Sequence, residues 1–130
     1  MAATYRISEA AALLGVSDDT VRRWIDSGRL PARRNDAGPA VVEGTELAKL
    51  ATQLREAPEP GTTPSSARNR LAGIVTNVVR DTVMAQVEIQ AGPFRVVSLM
   101  SREAADELGL EPGVRAVATV KATQVSIDVP

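Results

Sequence analysis

The chain has 130 residues, 44% of them hydrophobic and 24% charged, a balance that fits a globular protein of one ordinary domain or two very small ones. It contains neither cysteine nor histidine, which excludes disulfides, thiol chemistry, Cys/His zinc sites and histidine acid–base catalysis. The net charge is −1, no apolar run reaches membrane-spanning length, and no apolar core of signal-peptide length follows the N-terminus, so cytoplasmic residence without a membrane partner is expected.

The first elements read as helical. Residues 7–16 predict a short helix with Ser8 as its cap, Glu9 at the positive end of its dipole and Gly15 as its stop. A second helix starts at Ser17, carries Asp18 and Asp19 in its first turn, and stops at Gly28. Val21, Trp24 and Ile25 fall at i, i+3 and i+4 and share one face, which turns Arg22 and Arg23 elsewhere, with Asp19 and Thr20. Two short helices joined by a tight turn form a helix-turn-helix arrangement. Asn35, Asp36 and Gly38 then predict a short hairpin or wing with arginines near its tip. Thr45 is expected to cap a third helix over 46–56, with Leu47, Leu50, Ala51 and Leu54 on one stripe. Residues 20–34 hold Arg22, Arg23, Arg29, Arg33 and Arg34 against Asp26 alone, a basic patch that can meet phosphates whatever the total charge.

Residues 57–65, with Pro58, Pro60, Gly61 and Pro64, read as an extended linker between two domains, 1–56 and 66–130. Beyond the linker the apolar period becomes two. Residues 71–79 are β-branched and apolar around Gly73, and 83–90 alternate with Val83, Ala85, Val87 and Ile89 on one side. A strand over 94–100 follows the Ala91-Gly92-Pro93 turn, and Ser101 caps a short helix over 101–108 that Gly109 ends. Strands over 114–120 and 125–129 complete a set of five, which predicts a small OB-like barrel with one short helix. Its core is slight for a domain of about 65 residues, so strand pairing between subunits is expected to supplement it. Three aromatics in the whole chain (Tyr5, Trp24 and Phe94) are too few for a stacking platform on single-stranded nucleic acid.

Two resemblances attach to these elements. The run from Ile7 to Ser17, followed by Thr20-Val21-Arg22-Arg23-Trp24-Ile25-Asp26-Ser27-Gly28-Arg29-Leu30-Pro31-Ala32-Arg33-Arg34, resembles the MerR/excisionase-type winged helix-turn-helix. The resemblance implies double-stranded DNA as partner, with the second helix in the major groove and the wing on the backbone. By position it assigns Thr20, Arg22 and Arg23 to DNA on the helix, with Arg33, Arg34 and Asn35 on the wing. A module this small normally needs two copies on two half-sites.

The second half resembles the molybdate-binding Mop family of TOBE-type domains. The resemblance rests on Ser66-Ala67-Arg68-Asn69-Arg70-Leu71-Ala72-Gly73-Ile74-Val75, Val83-Met84-Ala85-Gln86-Val87, Ser101-Arg102-Glu103-Ala104-Ala105-Asp106-Glu107-Leu108-Gly109-Leu110, Pro112-Gly113 and Val120-Lys121-Ala122-Thr123-Gln124-Val125. It implies an OB-like subunit that exchanges strands into a dimer or larger ring, a hexamer among them, with molybdate or tungstate at subunit interfaces. The ligands it implies are Ser66, Arg68, Ser101, Lys121 and Ala122 through its amide, with Thr123 a weaker candidate. Such residues suit a dianion that carries no proton of its own, because they supply hydroxyls, amides and positive charge. Ala104 departs from a serine carried by many members.

Together these readings describe a molybdate- or tungstate-responsive DNA-binding regulator. Two alternatives stay open: an oxyanion store without a DNA role, and a DNA-binding regulator whose second domain only oligomerises. An enzyme is the least supported class, since no nucleophile–base pair is evident. Each residue also has a plainer role: the arginines as a solvated face, Ser101 as a cap, Lys121 as a surface residue and Arg68 as an ion-pair partner.

Overall fold

The computed structural model describes residues 3–34, 38–55 and 64–130. The chain divides into two compact units, Met1–Thr62 and Thr63–Pro130. Of the expected linker, only Pro64 and Ser65 are among the described residues, and Asn35 also lies outside them.

The first unit runs β1 (Thr4–Arg6), α1 (Ile7–Leu14), α2 (Asp18–Asp26), β2 (Arg33–Arg34), β3 (Ala40–Glu43) and α3 (Gly44–Gln53). Its strands form an antiparallel sheet in the order β1-β3-β2, with Tyr5 opposite Val42 and Arg33 opposite Val41. The hairpin β2–β3 is the expected wing, and β1 is an addition that the sequence did not announce. Because β1 runs straight into α1, the cap is Arg6 rather than Ser8. Glu9 reaches back one turn to accept from the Arg6 N–H at 3.0 Å, and Ser8 sits inside the first turn. Gly15 ends α1 at φ 68°, a left-handed conformation that side chains resist. Ser17, where the second helix was expected to start, is the cap of α2 and accepts from the Thr20 N–H at 3.2 Å.

Thr45 does not cap α3. That helix begins two residues earlier, with Glu43 at its cap, because β3 continues to Glu43 and the Gly44 N–H donates to the Ala3 carbonyl at 2.7 Å. A Cβ on Gly44 would stand 3.2 Å from Tyr5 Cε2, so β1 packs where a side chain would be. The core comprises Ala10, Ala11, Val21, Leu30, Val42, Leu47 and Leu50, with Tyr5, Trp24 and Ile25 packed against it. The apolar face read from Val21, Trp24 and Ile25 is therefore the buried face. Leu54 falls past the helix end and is 37% exposed, which shortens the expected stripe on α3.

The second unit contains β4 (Asn69–Arg80), β5 (Met84–Ala91), β6 (Phe94–Ser101), α4 (Arg102–Glu107) and β7 (Arg115–Val120), followed by a 3-10 turn at Ala122–Gln124. The antiparallel sheet has the order β6-β5-β4-β7. Opposite Ile89 and Glu88, β4 inserts an extra residue between Val75 and Asn77, a bulge that bends the strand and curls the sheet. Val75, Ala85, Val87, Ile89, Ala105 and Leu110 form the core, with Val78, Val96, Met100, Ala116 and Ala118 against it. At Gly73 two strands run so close together that a Cβ would lie 2.2 Å from the Gln90 carbonyl oxygen.

The fifth expected strand is absent. Residues 125–130 hold no secondary structure, and Val125, Ile127 and Val129 are 43%, 82% and 89% exposed. Their alternation is that of a strand, but within one copy no sheet edge receives it. The sheet ends at β6 and β7, which do not pair with each other. Inward residues of both edges, Val96 and Met100 on one side and Ala116 and Ala118 on the other, line an open groove of ≈ 470 Å³.

Candidate functional site

In the first unit the functional face is built by α2 and the wing. Burial of Val21, Trp24 and Ile25 leaves Arg22 and Arg23 outside. Arg22 Nη1 lies 3.3 Å from Asp19 Oδ1, and Arg23 Nη2 donates to Thr20 Oγ1 at 3.2 Å. Thr20 Oγ1 also shares a hydrogen bond with Ser17 Oγ at 2.9 Å. Arg33 and Arg34 are exposed on β2, and Arg33 Nη2 pairs with Glu43 Oε1 of β3 at 2.9 Å.

The structure brings Arg22, Arg33 and Arg34 onto one groove, shared with Asp26 and Ala40. Thr20 and Arg23 stand outside it, since Thr20 is about 200° round the helix from Arg22. A second groove joins Arg22 to Arg6 and Ser8 at the β1–α1 junction. Arg6 is thus a further basic residue on this face, missed because β1 was missed. The arrangement can hold an extended polyanion along the helix and the wing, through donors that carry positive charge.

In the second unit most of the expected ligands gather at one end. Asn69 pairs with Val120 and donates from Nδ2 to its carbonyl at 3.0 Å, which sets residues 66–68 beside residues 121–123. Lys121, Ala122 and Thr123 belong to the 3-10 turn and its entry. Arg68 Nη1 donates to the Ser65 carbonyl at 3.2 Å. No aspartate or glutamate occurs in residues 64–80 or 112–127, and Arg70, opposite Thr119, adds a cation that the resemblance did not name. Hydroxyls, amides, a guanidinium and an ammonium without a carboxylate form a donor set that fits a tetrahedral dianion.

Ser101 is elsewhere. It pairs with Met84 at the far end of the sheet, and the twelve residues of β4 separate that end from Asn69. Its Oγ accepts from the Ala104 N–H at 3.1 Å and caps α4. The surroundings are acidic: Glu103, Asp106 and Glu107 line the same groove as Arg102. Asp81 is close by, accepting from the Val83 and Met84 N–H groups at 2.7 and 2.6 Å. Those two hydrogen bonds, with help from the Arg102 charge, hold its carboxyl below the ordinary carboxylate range. One copy of the chain therefore does not bring Ser101 to Ser66, Arg68 and Lys121.

Among the described residues there is no cluster of three or more acidic side chains placed to hold a metal ion, and no helix is long and apolar enough to cross a membrane. The TOBE domain family matches residues 65–127, and the helix-turn-helix domain family matches residues 4–55. Molybdenum-pterin-binding protein 2 of Clostridium pasteurianum is 38% identical over 63 residues, which are 48% of this chain and 93% of that protein. A probable molybdenum-pterin-binding protein of Haemophilus influenzae is 43% identical over 65 residues, 49% of this chain and 94% of that one. Among solved structures, a molybdate binding protein from Sporomusa ovata superposes with a TM-score of 0.50 at 30% identity, over 52% of this chain and 100% of that one. The cytoplasmic molybdate-binding protein ModG, with molybdate bound, superposes with a TM-score of 0.51 at 31% identity, over 70% of this chain and 75% of that one. The curled sheet is therefore the OB-like fold of the molbindins, and both matched families are binding domains rather than enzymes. Through its second half the chain belongs to the TOBE-domain family of molybdenum-pterin-binding proteins, and it carries a helix-turn-helix domain ahead of that half.

Proposed function

We propose that the protein is a transcriptional regulator that binds double-stranded DNA through a MerR-type winged first unit and responds to molybdate or tungstate through its second. The observation that carries this is the union in one chain of an arginine-lined helix-and-wing groove with a TOBE unit. DNA as partner goes with a cytoplasmic location. On DNA, Arg22, Arg23, Arg33 and Arg34 meet phosphates and base edges, with Thr20 and Asn35 beside them.

The oxyanion site, in this reading, lies between copies. Ser66, Arg68, Lys121, the Ala122 amide and Thr123 from one subunit supply one wall, and Ser101 of another closes it. The separation of these residues along β4 supports a shared site, since one chain cannot assemble it alone. The open groove between β6 and β7, with the exposed alternation at Val125, Ile127 and Val129, supports a homo-oligomer of at least two copies. Oxyanion then acts by favouring the assembly that contains its site, and it changes DNA affinity only as far as it binds that assembly better.

The test is operator affinity of the full chain with and without molybdate, after selecting the operator from a randomised duplex pool. A shift in affinity supports a responsive regulator, and an unchanged affinity sinks that coupling. A second reading, an oxyanion store, is favoured by one observation: the matched relatives consist almost wholly of the part this chain shares with them. Under that reading the pool enriches no sequence. Calorimetric titration with molybdate, tungstate and sulfate decides which anion is bound.

A further inference from the structure

The two arginines of α2 are braced from the same distance along the helix but by different chemistry. Arg22 is held by Asp19 and Arg23 by Thr20, each partner three positions earlier and so on the same side. Asp19 sets a negative charge beside Arg22, whereas Thr20 is neutral and sets none beside Arg23. Helix α2 as a whole carries Asp18, Asp19 and Asp26 against these two arginines. A helix that only had to attract phosphates would be weakened by such acids.

Helix stability asks little of Asp19, which shares the first turn with Asp18. Exposed ion pairs of this kind contribute little, and here the side chains of Arg22 and Asp19 are 56% and 89% exposed. Ser17 already caps the helix, and Asp18 already sits at the positive end of its dipole. A DNA groove changes the balance, because losing water strengthens the pair and holds the guanidinium fork in one plane. A fixed fork matches the O6 and N7 acceptors of guanine, which a swinging one does not. Arg22 also lines both grooves beside the wing, whereas Arg23 lines neither.

Resting on the DNA-binding reading above, we propose that Asp19 is a specificity-determining residue: it fixes the Arg22 guanidinium for a guanine edge, while Arg23 supplies attraction to phosphate whatever the sequence. The two arginines then divide recognition between them.

The experiment uses the full chain, the duplex it enriches from a randomised pool, and a scrambled duplex of equal length and composition, each over a salt series. Asp19→Asn is expected to bind the scrambled duplex more tightly, since a negative charge is gone, while its preference for the enriched duplex falls about tenfold. Asp19→Glu retains most of that preference. Arg23→Ala weakens both duplexes alike and lowers the salt slope by about 1. Arg22→Lys keeps the charge and loses the fork, so it serves should Asp19→Asn disturb the helix: the preference falls and the salt slope stays. Equal gains on both duplexes for Asp19→Asn, or an unchanged preference in Arg22→Lys, overturn the proposal. If the unaltered chain enriches no sequence, the DNA-binding reading itself fails and takes the proposal with it. If the chain selects DNA and only Asp19→Asn behaves as a plain charge change, the reading survives and the role of Asp19 does not.

Discussion

The two units solve the same problem of size in opposite ways. The first closes on itself: Val21, Leu30 and Val42 are almost wholly buried among three helices and a small sheet. The second ends in two unpaired sheet edges, a groove between them and a C-terminal segment with its apolar side chains in water. Among the described residues the large exposed apolar side chains number two in the first unit, Leu13 and Leu54, against thirteen in the second. Exposed apolar surface on that scale is what an interface would use, so the contrast supports the proposal that the second unit carries assembly. Small domains without disulfides or metals have few other ways to gain stability.

The comparison can be broken at several points. The largest effect is expected from Leu30→Ala, which empties a fully buried site and should cost about 2–5 kcal/mol. Scanning calorimetry should place that loss in the first transition alone, and a matching shift in the second transition would show that the units are not independent. Gly73→Ala comes next, costing about 1–3 kcal/mol in the second unit, because its Cβ meets backbone rather than a movable side chain. Replacing Ile127 and Val129 together by aspartate should leave the helical unit intact and shift the sedimentation profile toward single copies. An unchanged profile would mean that the tail has no part in assembly.

Lys121→Ala is expected to lower molybdate affinity about tenfold by calorimetry, the effect of removing one charge-assisted hydrogen bond. Ser101→Ala separates two roles of one hydroxyl: lost affinity without lost stability supports a ligand, and lost stability alone supports a cap. The smallest effect is the pH dependence of Asp81→Ala. The carboxyl is held below its ordinary range in the folded chain, so its contribution is present above that range and disappears as pH falls through the folded value. The difference in melting temperature between the variant and the unaltered chain should therefore be seen near neutral pH and vanish in acid.

Much of the architecture was legible because it rests on local chemistry. The buried face of α2, its start at Ser17, the stop at Gly15 and the alternation on β5 follow from spacing and from single residues. The misses share a different cause. Ser8 and Thr45 are good capping residues, but β1 and β3 run into the helices and move each cap two residues ahead, to Arg6 and Glu43. Such a displacement depends on β1 pairing with β3, thirty-nine residues on at Thr4 and Glu43, and no local pattern encodes it. The segment 125–129 has the right alternation for a strand, but a strand needs an edge to join, and sequence alone does not say whose edge. The candidate ligands divided for the same reason. Residues 66–68 and 121–123 became neighbours through the β4–β7 register, whereas the β4–β5 and β5–β6 registers carried Ser101 to the opposite end among acids from α4.

Gly73 has a consequence for the order of folding. Its contact with the Gln90 carbonyl leaves no room for any side chain, so only one alignment of β4 on β5 brings the backbones together there. A slip of one residue would set Ala72 or Ile74 at that contact and turn every following side chain to the wrong face. The glycine thus acts as a key cut for a single alignment, proofreading a hairpin whose strands lie close together in the chain. β7, which must travel from some forty-five residues away to meet the other edge of β4, then finds that edge already set.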